Sequence, residues 1–138
     1  MIVWRLSLCM CCLVAGLAWP AGGWATEPVR YGRDVLPILS ARCFACHGPD
    51  EEGRQADLRL DLEREAKGER ESGRAIVPGS PDESELIKRV TSSDTDVVMP
   101  PGESHAPLTA GQVETLRRWI AAGAAWGRHW SFEPVTRP

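Results

Sequence analysis

Cys43-Phe44-Ala45-Cys46-His47 places two thiols three residues apart and an imidazole directly after the second. This order and spacing is the attachment signature of a c-type haem: each thiol adds to a vinyl group, and the histidine ligates the iron. At the end of a helix, residues three apart fall on one side of a turn, so both sulfurs reach one edge of the macrocycle. Other chemistries for Cys-x-x-Cys fit less well. Structural zinc takes four ligands, and no cysteine follows Cys46, so a zinc ion would have to recruit His105 and His129 from outside knuckle spacing. A thioredoxin-like redox pair belongs after a strand, whereas the residues before Cys43 read as helix. A plain disulfide would leave His47 without a role.

Iron held by one histidine has a second face. Met99 lies 52 residues beyond His47 in Val97-Val98-Met99-Pro100-Pro101, and it is the candidate sixth ligand. Thioether ligation raises the reduction potential, which suits electron transfer. The two prolines restrict the backbone just after it. A methionine in such a loop also makes good core filling. His105, in the polar loop 102–107, and His129, in the tail, are the competing ligands, and bis-histidine ligation would lower the potential. An open distal site is the third option.

Three helices must carry these groups. The first runs from Gly32 to about Ala41, with Val35, Leu36, Ile38 and Leu39 as its apolar face and Pro37 in its first turn, and delivers the chain to Cys43. The second is expected from Ser80, with Pro81 at the first helical position and Glu83 completing a capping box ahead of Leu86, Ile87 and Val90. The third starts at Thr109 with Gln112 as its capping-box partner. Leu108 and Val113 are placed for a hydrophobic staple, and Gly123 for the stop. Its residues Val113, Leu116, Trp119 and Ile120 recur at helical spacing. Between the first two helices, the charged run 50–74 reads as solvated surface. Leu58, Leu60 and Leu62 alternate as in a short extended segment that leads to a brief helix at Glu63 to Lys67. The loop 73–79 lays Ile76 and Val77 on an apolar surface, either core or the edge of a haem.

The chain has 138 residues and a formal charge of −3. Residues 1–25 have the three regions of a signal peptide: Arg5, an apolar run from Leu6 to Trp19, and small residues Gly23 and Ala25 before a cleavage site. That run is shorter than the roughly 20 residues of a bilayer span. A periplasmic or otherwise exported location, after cleavage near Ala25, is therefore expected, with a membrane anchor formed by an uncleaved N-terminus as the alternative. Cys9, Cys11 and Cys12 would leave with the signal, and Met99 would then be the sole methionine. The mature chain, residues 26–138, suffices for one domain of modest core. Its acidic balance argues against nucleic acid, and no second membrane span appears in it. No acid/base pair beside a nucleophile and no glycine-rich phosphate loop is present, so the chain does not read as an enzyme by itself.

The order of Tyr31-Gly-Arg-Asp-Val-Leu-Pro-Ile-Leu39, Cys-x-x-Cys-His-Gly-Pro49, Leu58-Arg-Leu-Asp61, Ile76-Val-Pro-Gly79, Ser84-Glu-Leu-Ile87, Met99-Pro-Pro101, Leu116-x-x-Trp119-Ile120 and Gly123-Ala124 resembles the planctomycete cytochrome c domain family. The resemblance covers about residues 29–132. It implies an all-α fold, a cytochrome c-like small helical domain wrapped around one haem c, attached through Cys43 and Cys46 with His47 proximal and Met99 distal. The expected organisation is a signal peptide at 1–25, a monohaem domain at 26–125 and an aromatic-rich tail at 126–138. Family members usually continue past a His-Trp-x-Phe stretch, here His129 to Phe132, into large further domains. A truncated product or a domain cut from a longer ancestor is therefore expected, with a free-standing carrier as the alternative. Three roles follow: an exported one-electron carrier serving a redox protein, the electron-accepting module of an enzyme whose domains come from another chain, or an interaction module docking through the tail.

Overall fold

Val35, Ile38 and Leu39 fall on one helical face, and burying that face decides where the first helix lies. The computed structural model describes residues 27–102 and 106–127. It begins with a π-helical turn, Tyr31–Val35, that runs directly into α1, Leu36–Arg42. Pro37 stands in the first turn of α1, where its missing N–H removes no helical bond. One residue later the chain resumes as α2, Phe44–His47, so the Cys-x-x-Cys-His string is itself mostly helical. A four-residue helix, α3, Glu63–Ala66, follows the leucine-bearing segment. A 3₁₀ turn, Pro81–Glu83, precedes α4, Glu85–Val90, and the longest helix, α5, Ala110–Ala121, closes the domain. The described residues are helical and contain no strand, in keeping with an all-α class. None of their helices is long and apolar enough to cross a membrane.

One apolar cluster joins these elements. Val35, Leu39, Ile76, Ile87, Leu116, Trp119 and Ile120 are almost fully buried in it. Trp119 has the largest of these side chains. Its ring removes about 150–250 Å² from water, worth about 4–6 kcal/mol at ~25 cal/mol per Å². Ile76 enters this core and does not line the cavity described below, whereas Gly73 and Ala75 of the same loop do line it.

The third helix forms as its caps dictate. Thr109 N donates to Gln112 Oε1 at 2.9 Å, and Gln112 N donates to Thr109 Oγ1 at 3.2 Å, a complete capping box. At the other end Gly123, with φ of +97°, turns the chain. Gly123 N bonds to the Ile120 carbonyl, and Ala124 N reaches back to that of Trp119. These two bonds form a Schellman motif. Trp126 then folds back, its ring centroid 4.8 Å from that of Tyr31 and 4.9 Å from that of Trp119.

Two local expectations give way to tertiary demands. Ser80 makes no side-chain cap, and the helix starts at Glu85 because Ser84 is extended. The Ser84 hydroxyl is fully buried, accepting from Val77 N at 2.9 Å and donating to the Ser80 carbonyl at 3.0 Å. Holding the loop 73–79 thus takes precedence over a longer helix. The alternating leucines form no strand either: Leu60 is buried, but Leu62 is exposed. Leu60 N is engaged by the His47 carbonyl at 2.8 Å, which draws the segment onto the motif and leaves no ladder.

Candidate functional site

The residues around the motif hold its side chains in place through the backbone. His47 N donates to the Cys43 carbonyl at 2.8 Å, and Gln55 N donates to that of Cys46 at 2.7 Å, closing the loop that follows. Gly48 permits the tight exit. A Cβ there would stand 2.3 Å from the Phe44 carbonyl oxygen, closer than any side chain tolerates. Arg54 secures the same turn, giving Nε to the Gly48 carbonyl and Nη2 to that of Pro49.

His47 Nδ1 lies 3.2 Å from the Gln55 carbonyl oxygen. A carbonyl only accepts, so Nδ1 carries the hydrogen and Nε2 keeps its lone pair. This is the arrangement that orients a metal-binding imidazole. Burial is the main cause that holds His47 below its ordinary pKa; the guanidinium charges of Arg70 and Arg89 act the same way, and the Gln55 bond opposes them. The ring is therefore neutral, as a ligand must be.

Cys43 and Cys46 are free thiols. Burial, with a smaller effect from Cys46, pushes the Cys43 thiol up to about 11. A redox-exchange cysteine needs the opposite shift, so Cys43 is poorly suited to attack in thioredoxin-like chemistry.

Met99 is placed by its backbone bond to the end of α4. Its N–H donates to the Arg89 carbonyl at the end of α4, at 3.1 Å, which folds the loop 91–98 back on that helix. The Met99–Pro100 peptide is cis, and Pro100 is buried.

These pieces enclose a cavity of about 530 Å³, within the range of small-molecule and cofactor sites. Cys43, Cys46, His47 and Met99 all line it. Leu58, Leu60, Ala75, Leu86, Val90 and Pro100 supply apolar walls. Two thiols, an oriented neutral imidazole, a thioether and apolar walls are the donor set and lining that a covalently held haem needs.

Residues 43–103 match the family model for planctomycete cytochrome C. The match spans 61 of the 138 residues, and over them the chain is similar to that family. No curated protein and no solved structure matches the chain. This similarity suggests haem-based electron transfer as the coarse function, and cytochrome c domains are usually exported.

Sequence reasoning named four of the residues that line the cavity as site residues and missed others. The Gln55 carbonyl that orients His47 is a backbone atom, invisible in composition or spacing. Arg70 lies in a run read as solvated surface, yet it lines the cavity. Only the matched Leu58-Arg-Leu-Asp61 motif within that run signalled more than surface. His105, His129, the signal peptide and most of the aromatic tail lie outside the described residues. Trp126, the first residue of that tail, belongs to the aromatic packing on Tyr31 and Trp119.

Proposed function

We propose that this protein is an exported monohaem cytochrome that carries single electrons to and from a redox partner protein, with Cys43 and Cys46 as the attachment sites and His47 and Met99 as the axial ligands. The observation that carries the reading is the convergence of these four side chains on one apolar cavity. Haem c supplies a one-electron ferrous/ferric couple. The chain holds and tunes that couple. His47 presents Nε2 because its Nδ1 hydrogen is engaged by Gln55. Met99, held by Arg89 and followed by two prolines, brings a thioether that favours the ferrous state. Leu58, Leu60 and Leu86 exclude water, so little solvent rearranges when the charge changes.

The test is an absorption spectrum of the full chain expressed in a periplasm that matures c-type haem. Covalent haem is expected, with reduced bands that survive acidic organic extraction. The ferric protein is expected to show the weak long-wavelength band of methionine ligation, and Met99→Ala to abolish it and let the ferrous iron bind carbon monoxide. Mature protein without covalent haem overturns the reading. Loss of that band on changing His105 or His129, and not Met99, overturns the ligand assignment.

A further inference from the structure

The Gln55 carbonyl that orients His47 belongs to a strained turn. Besides lying 3.2 Å from His47 Nδ1, this oxygen accepts from Leu58 N at 3.2 Å, so residues 55–58 close a four-residue turn on it. The two central residues, Ala56 and Asp57, both have positive φ, +53° and +50°. A turn with two such residues favours Asn-Gly or Gly-Gly. An alanine there holds an unfavourable conformation that persists only where the surroundings enforce it.

Side-chain packing does not enforce it, because Gln55, Ala56 and Asp57 are exposed. Hydrogen bonds do. The segment is pinned to the motif at both ends, by Gln55 N on the Cys46 carbonyl at 2.7 Å and Leu60 N on the His47 carbonyl at 2.8 Å. The crest between them is held from outside the loop: Arg70, 13 residues beyond Asp57, gives Nη2 to its carbonyl. Arg70 Nε is buried as well, so the guanidinium is a fixed part of the wall and not a group offered to an occupant. Arg54 is a poor substitute. It is engaged by the Gly48 and Pro49 carbonyls, and it stands 3.7 Å from an Asp57 carboxylate whose side chain is 92% exposed, a pairing that contributes little.

We propose that Arg70 is a positioning residue for the proximal ligand: by holding the Asp57 carbonyl it keeps the strained turn 55–58 in place, and the turn keeps the Gln55 carbonyl on His47 Nδ1. The inference rests on the haem reading above. Donation from Nδ1 fixes the tautomer and orientation of the ring and makes Nε2 a stronger base toward a metal. Arg70 acts through two hydrogen bonds in series and needs no contact with the haem.

The test is hydrogen exchange of the His47 Nδ1–H, followed by proton NMR in the haem-loaded, ferrous full chain. Arg70→Leu, which donates nothing, should speed this exchange about tenfold, the order expected when the support of one hydrogen bond is lost. Ala56→Asn and Asp57→Gly together give the turn a pair that adopts it unaided. Added to Arg70→Leu, they should return the exchange to within about twofold of wild type, and by themselves they should leave it there. Unchanged exchange in Arg70→Leu overturns the proposal. So does faster exchange that the turn substitutions fail to slow, because a lost charge or a packing defect is not repaired in the turn. If Arg70→Leu accumulates no haem, the triple variant decides: haem regained supports the proposal, and haem still absent refutes it. Wild-type protein without covalent haem is a failure of the haem reading; haem-loaded Arg70→Leu with wild-type exchange is a failure of this one alone.

Discussion

Ser84→Ala removes one oxygen and thereby unties the loop 73–79 from the start of α4. In the wild type that oxygen accepts from Val77 N and donates to the Ser80 carbonyl, with the side chain fully buried. The variant leaves the Val77 N–H without its acceptor and takes a donor from Ser80. An ordinary hydrogen bond contributes about 1 kcal/mol net, and an orphaned buried donor costs about 1–3 kcal/mol. Val77 is only half-buried, which favours the lower end and a total of about 2 kcal/mol. For a domain of this size each kcal/mol moves the midpoint by about 4–8 °C, so a fall of about 8–16 °C is expected. Thermal unfolding of the haem-loaded chain, followed by far-ultraviolet circular dichroism, measures it. Ser93→Ala, at an exposed position, serves as the control and should stay within about 0.5 kcal/mol. A Ser84→Ala midpoint indistinguishable from that of the control would refute the view that this hydroxyl fastens the loop 73–79 to α4.

Thr109→Ala loses the capping box of α5 and should cost about 1 kcal/mol, read by the same melt, with the haem spectrum unchanged because α5 does not line the cavity. Replacing both Cys43 and Cys46 by alanine should leave no haem after acidic organic extraction, while either single change should leave one covalent bond and a shifted reduced band. Tyr31 is the only tyrosine, and desolvation, its largest influence, raises its pKa above the ordinary 10. An absorbance titration of the folded protein should therefore ionise later than that of the unfolded chain. Because the folded pKa is the higher one, this contribution to stability is full below the unfolded value and is lost as pH rises through the folded value. Unfolding midpoints should accordingly drop across that alkaline window, and less so in Tyr31→Phe.

The parts that could be read from sequence are those whose cause is local. Thr109 and Gln112 sit three apart and cap each other, and the attachment motif carries its spacing in five consecutive residues. Ser84 shows the opposite case. Its local pattern with Ser80, Pro81 and Glu83 favoured an earlier helix start, but a hydroxyl buried against Val77 outweighed that preference. Leu58, Leu60 and Leu62 misled for a related reason: the partner of Leu60 N is a carbonyl in the motif, and no period in the sequence announces a loop pinned to a helix end. Arg70 was hidden among charged neighbours, since composition cannot tell which member of a charge run turns inward. Met99 could be picked out because it stands alone in a proline-bounded loop, whereas the Arg89 carbonyl that anchors it could not.

The packing of Tyr31, Trp119 and Trp126 gathers both ends of the described chain. Arg118 Nη2 adds a tie to the Glu27 carbonyl at 2.9 Å, and none of these side chains lines the cavity. A pull on residue 27 or residue 127 would thus load an aromatic knot shared by both ends before it strained the walls around Cys43, His47 and Met99. Mechanically, tension applied at either end of the described residues would be taken up by the aromatic packing while the cavity keeps its shape.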